Sequence, residues 1–109
     1  MKLIYIAGKY RAETEWELEQ NIRRSEAAMV RLVQAGYAVI SPHKNSAHLG
    51  GAVPDEVWLD VCLEILGRCD AIYLLKGWKQ SKGAQREWKR AIAKRLEIYR
   101  EGEREPEEA

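Results

Sequence analysis

The run Ser81-Lys82-Gly83-Ala84-Gln85-Arg86-Glu87 gathers residue types that handle anions and carboxylate chemistry. Ser81 stands where a helix N-cap should stand, and Gly83 lets another group approach the backbone closely. A helix N-terminus offers free N–H donors and the positive end of a dipole, which suits phosphate. An ordinary serine cap followed by a tolerated glycine reads the same way. Glu87 adds weight to the functional reading. The apolar stripe of this helix is Ala84, Trp88, Ala91, Ile92 and the stem of Arg95. Glu87 falls on its edge, one turn from both Ala84 and Ala91. It is either a partly desolvated carboxylate with a task or a side chain that reaches water beside Arg86 or Arg90.

Other candidates sit on the first half of the chain. Tyr5 lies in a short apolar run, as a core residue or as a phenol that orients a carboxylate. Gly8 is followed by Lys9, Tyr10 and Arg11, so two cations flank a glycine turn. They could hold phosphate or form a solvated basic loop. His43, Lys44, Asn45 and His48 share a polar stretch suited to base or sugar contacts, or to a bland surface loop. A metal would need further ligands, and the spacing offers none. Trp78 and Trp88 flank the Ser81–Gly83 turn, and each is a base-stacking, subunit-contact or core residue. Cys62 has no basic neighbour within three residues, so its thiol is unreactive.

These residues need a frame. Residues 2–7 form a buried strand ended by Gly8. Residues 13–35 carry a helical stripe of Leu18, Ile22, Met29, Leu32 and Val33, ended by Gly36. Residues 37–41 are a second strand stopped by Pro42. A long loop runs from Pro42 to Pro54. Asp55 caps a helix over 56–67 with a stripe of Trp58, Val61, Cys62, Ile65 and Leu66. Residues 70–75 are a third strand, residues 77–83 a loop, residues 82–95 a third helix and residues 96–99 a last strand. This alternation predicts an α/β fold: a Rossmann/flavodoxin-like three-layer sandwich around a parallel sheet of four to five strands. One domain spans 1–99, and 100–109 is a charged, frayed tail. Ligands of such sheets bind outside the carboxyl ends of the strands, which selects Gly8–Arg11, Pro42–Gly51 and Lys76–Gly83.

Composition narrows the function classes. Eighteen Lys and Arg against 17 Asp and Glu leave no broad basic field for a nucleic-acid polymer. No apolar run approaches the ~20 residues of a membrane span, and the apolar start is too short for a signal peptide. Cys62 and Cys69 are about 10 Å apart along a helix, too far for a disulfide. The cytoplasm is the expected compartment.

Four stretches together resemble the nucleoside 2-deoxyribosyltransferase-like superfamily, with its 2'-deoxynucleoside 5'-monophosphate N-glycosidases. They are Ile4-Tyr5-Ile6-Ala7-Gly8, Gly36-Tyr37 through Ser41-Pro42-His43, Cys69-Asp70-Ala71-Ile72, and Gly77-Trp78 with Ser81-x-Gly83-Ala84-x-x-Glu87. The last is the most specific. The resemblance covers about residues 2–99. It implies that Glu87 is a nucleophile at the anomeric carbon and that Tyr5 hydrogen-bonds it. It implies a 5'-monophosphate substrate, because Ser81 stands where members acting on free nucleosides carry Asp. A carboxylate there would repel phosphate. Gly8, Lys9, Arg11, His43, Asn45, Trp78 and Gly83 become substrate-binding candidates. A homodimer or larger assembly is implied, and no cofactor. One position departs from the family. The usual Asp that helps protonate the leaving base lies eight residues before Asp70, and here that residue is Cys62. Either His43 or another group takes the role, or activity is reduced or lost, leaving a nucleotide-binding or regulatory module. A thiol with its ordinary pKa of ~8.5 is a poor proton donor.

Overall fold

The computed structural model describes residues 1–45 and 49–107. Its elements are β1 (Leu3–Ala7), α1 (Glu15–Gln34), β2 (Ala38–Ile40), α2 (Pro42–Asn45), α3 (Asp55–Leu66), β3 (Ala71–Leu74), α4 (Lys82–Ala93) and β4 (Glu97–Arg100). Among the described residues the strands make one all-parallel sheet of four, in the order β2-β1-β3-β4. With helices on both faces this is the expected Rossmann/flavodoxin-like sandwich. β1 is the strand from which the order runs both ways. The crevice beyond the carboxyl ends of β1 and β3 is therefore the switch point where such folds take ligands.

The central strands are unbroken apolar runs, LIYIA and AIYL, because both of their faces are covered. The edge strands β2 and β4 are only half-buried. Period-two alternation divides the sheet into two cores. Tyr5, Ala7, Ile72 and Leu74 face α3 and α4, packing with Leu66, Trp78, Ala84 and Ala91. Ile4, Ile6, Ala71 and Tyr73 face α1, packing with Ala28, Leu32 and Tyr37. Tyr5 thus points to the same side as the helix that carries Glu87.

Several local expectations shift. The long loop after β2 begins with the short helix α2, and a 3-10 turn, Trp78–Gln80, precedes α4. Pro54 is the N-cap of α3, without a side-chain cap. Asp55 enters the first turn and pairs with Arg11 at 2.9 Å. Val33, Val61 and Ile92 are exposed, although each falls on an apolar stripe by its spacing. The face that α1 buries is instead Asn21, Ile22, Ser25, Ala28 and Leu32. Polar residues replace apolar ones there because they have partners. Ser25 shares a hydrogen bond with Ser41, and Asn21 Nδ2 donates to the Tyr10 carbonyl at 3.0 Å.

The segment after β4 is not frayed where it is described. Arg100 bridges to Arg104, and Arg104 Nη1 donates to the Ile98 carbonyl. The Tyr73 hydroxyl donates to Glu105 at 2.6 Å. Charge patterning suggests a loose tail, but the Tyr73 hydroxyl on β3 supplies a specific partner for Glu105.

Candidate active site

Glu87 lies in the second turn of α4 and is 7% exposed. Tyr5, fully buried on β1, donates its hydroxyl to Glu87 Oε2. A residue from each end of the sequence meets because β1 is central and α4 crosses its face. Burial pushes the Glu87 carboxyl up to about 7, and the Tyr5 hydrogen bond only partly offsets this. Burial and then the charge of Glu87 push the Tyr5 phenol well above its ordinary value. Tyr5 therefore stays protonated and donates. No cation pairs with Glu87 among the described residues. A half-neutralised buried carboxylate is poised to ionise near pH 7.

Cys62 on α3 completes the cluster. Its thiol interacts with the Tyr5 hydroxyl and feels the Glu87 carboxylate. Burial pushes the thiol up, with the Tyr5 hydrogen bond opposing and the Glu87 charge adding to the rise. The side chain facing the pair is thus a protonated thiol. The nearby carboxylates of α3 do not replace it, since Asp60 is exposed and Glu64 pairs with Arg68 at 3.2 Å.

Ser81 is the N-cap of α4, and its Oγ accepts the Ala84 amide at 3.2 Å. Its hydroxyl proton remains available to a ligand. A Cβ on Gly83 would meet only Ser81 Oγ, at 3.9 Å, so protein packing does not require this glycine. Gly8 is different. A Cβ there would stand 2.8 Å from Leu75 Cδ1, so the chain needs glycine where β1 turns past the end of β3.

His43 is 4% exposed, edge-on to Tyr10 at 5.2 Å, with Nε2 3.0 Å from the Lys9 carbonyl. A carbonyl only accepts, so Nε2 carries the proton and Nδ1 is an acceptor. Nδ1 is buried and has no partner among the described residues. Burial pulls the His43 pKa down, so the ring is neutral. That state argues against His43 as the missing proton donor. The indole nitrogens of Trp58 and Trp88 are likewise buried without partners.

The remaining candidates scatter. Trp78 is a core residue, packed on Trp88 at 5.3 Å, because its ring fills the space under the turn before α4. Arg11 is engaged by Asp55 on the surface. Asn45 ends α2 and is exposed, and His48 lies outside the described residues. Lys9 lines a cleft on the α1 side with Asn21, Arg24 and Lys76. Asn21 and Arg24 went unnoticed in the sequence, and Lys76 entered only as the start of a selected loop. The only signal was their position beside the switch point.

A family model described as a domain of unknown function, DUF4406, matches residues 2–100. The chain belongs to the DUF4406 family. No curated protein matches it. Among solved structures, this DUF4406 protein is similar to a 2-deoxyribosyltransferase from the psychrotolerant bacterium Bacillus psychrosaccharolyticus. The TM-score is 0.64 at 17% identity, over 90% of this chain and 70% of that one. The two share a fold. No helix among the described residues is long and apolar enough to cross a membrane.

Proposed function

We propose that the protein cleaves the N-glycosidic bond of a 2'-deoxynucleoside 5'-monophosphate, with Glu87 as nucleophile. The observation that carries this reading is the buried Tyr5–Glu87 hydrogen bond, with no cation among the described residues to explain the burial. A structural carboxylate buried this deeply would need an opposite charge to compensate it. A shared fold with a deoxyribosyltransferase agrees with it.

In the first step a Glu87 oxygen bonds to C1' of the deoxyribose. The C1'–N bond breaks, and the base leaves with the electron pair and takes a proton from water. In the second step water attacks C1', the ester bond to Glu87 breaks, and the water proton is released. A second base in place of that water gives transfer instead of hydrolysis. Tyr5 holds the Glu87 carboxylate in position and steadies its charge in both steps. Ser81 and the first amides of α4 hold the 5'-phosphate. Gly83 leaves room for the sugar, and His43 Nδ1 accepts from the ligand. No cofactor takes part. A neighbouring subunit of a homodimer closes the site.

The test is base release, followed by chromatography, from the four common deoxynucleoside monophosphates and the matched nucleosides. Release that disappears in Glu87→Gln supports the reading, and equal release from both proteins overturns it. Mass spectrometry of acid-quenched protein should find a deoxyribosyl adduct on Glu87. A second reading rests on Cys62, which faces Tyr5 and Glu87 where an acid is wanted. Nucleotide binding without any base release would favour a regulatory or sensor module.

A further inference from the structure

We infer that the cleft beyond the carboxyl ends of β1 and β3, on the α1 side of the sheet, binds a phosphate group, free or as a phosphomonoester. This site is additional to the proposed reaction and does not depend on it. The cleft holds about 260 Å³ and is lined by Lys9, Asn21, Arg24, Leu75, Lys76 and Glu101. Leu75 belongs to the core under α1, whereas Glu87 and Tyr5 lie on the α3 and α4 side. The two sites therefore occupy opposite faces at one switch point.

Three cations and a single acid line this cleft. Lys9, Arg24 and Lys76 form no ion pair among the described residues. Neighbouring cations do pair: Arg11 with Asp55, Arg23 with Glu19 and Glu26, and Arg31 with Glu101. The one acid of the cleft is already committed. Glu101 Oε1 accepts the Lys76 amide at 3.0 Å, and Oε2 holds Arg31 at 2.9 Å. Like charges brought together repel unless an anion joins them.

The cations are also positioned. Asn21 is buried, is anchored to the Tyr10 carbonyl and accepts from Arg24 Nη1 at 3.3 Å. Gly102, at φ +76, turns the chain after β4, and a Cβ there would stand 2.8 Å from Lys76 Cε. The glycine leaves the space in which the Lys76 stem lies. Two ammonium groups and an oriented guanidinium match the charge and the several acceptor oxygens of a phosphate dianion.

The experiment is amide NMR of the full chain, titrated with inorganic phosphate in one arm and glycerol phosphate in the other. Sodium chloride at equal ionic strength is the control. Saturable shifts are expected at Lys9, Arg24, Lys76 and Gly102. The Arg24→Gln/Lys76→Gln double variant should bind at least tenfold more weakly, and Lys89→Gln, at an exposed position of α4, should bind as wild type does. Gly102→Ala, which crowds Lys76, should also weaken binding. Tighter binding of glycerol phosphate would assign a phosphomonoester, and equal binding would assign the phosphate group alone. Shifts that chloride reproduces, that are confined to residues 81–84, or that survive in the double variant would overturn the site. No nucleotide is present, so this outcome is independent of base release.

Discussion

The two faces of the sheet treat charge in opposite ways. On the α3 and α4 side, one carboxylate is buried with no cation beside it among the described residues, held by a phenol and neighboured by a thiol. On the α1 side, three cations stand at the surface with their one acid already engaged. Both arrangements cost free energy in the absence of a ligand. Burial raises the first cost by desolvation, which moves the Glu87 pKa to about 7. Solvent keeps the second small, because water screens the repulsion. The buried face therefore suits chemistry on a bound molecule, and the exposed face suits reversible capture of an anion.

The largest effect expected concerns the buried face. Glu87→Gln should lower base release by roughly 10³-fold or more, the scale seen when nucleophiles are removed. Wild-type kcat/KM should rise with pH through about 7 as Glu87 ionises. Tyr5→Phe should move that rise to higher pH, since the hydrogen bond from Tyr5 is what lowers the Glu87 pKa. A flat profile in wild type would remove the link between burial and reactivity.

Next comes Cys62→Asp. Placing a carboxylic acid against Tyr5 and Glu87 should raise base release by about 10²-fold, the low end of general acid catalysis. No rise would mean that water serves the leaving base well enough.

The stability consequence follows in size. The folded pKa of Glu87 lies above its unfolded value of 4.5, so the protonated form favours folding. That contribution is complete below about 4.5 and is lost as pH rises through about 7. Glu87→Gln should therefore be more stable than wild type at pH 8, by up to about 3 kcal/mol, with the gap closing by pH 4. Urea unfolding at the two pH values measures it. Smaller still, Ser81→Asp should shift preference from monophosphate to nucleoside by about tenfold in kcat/KM, through charge repulsion at the helix N-terminus. On the α1 face, Ser25→Ala removes the partner of Ser41 and should cost about 1–2 kcal/mol in the same unfolding assay.

Much of the frame was legible in the residues. Strand order aside, the alternation of apolar runs and helical stripes located all four strands, three of the helices and the Ser81 cap. The misplacements share one cause. Val33, Val61 and Ile92 satisfy a stripe by hydropathy, yet their helices each pack on one side only. Asn21 and Ser25 break the stripe, yet are buried because Tyr10 and Ser41 bond them. A pattern of hydropathy carries no information about such partners. The same holds after β4, where Tyr73 and Tyr37 tie down a segment that reads as loose charge.

The residues alone were enough to name Tyr5 and Glu87 as candidates. A short apolar run made Tyr5 a core residue or an orienting phenol, and helical spacing put Glu87 on the edge of the buried stripe of α4. Packing of the helices on the sheet makes these two side chains meet, brings Cys62 to them, and turns Lys9 to the other face with Arg24 and Lys76. Local spacing fixes direction along an element. Contact between residues 82 positions apart, and the desolvation that tunes them, exists only once the sheet and its helices have packed.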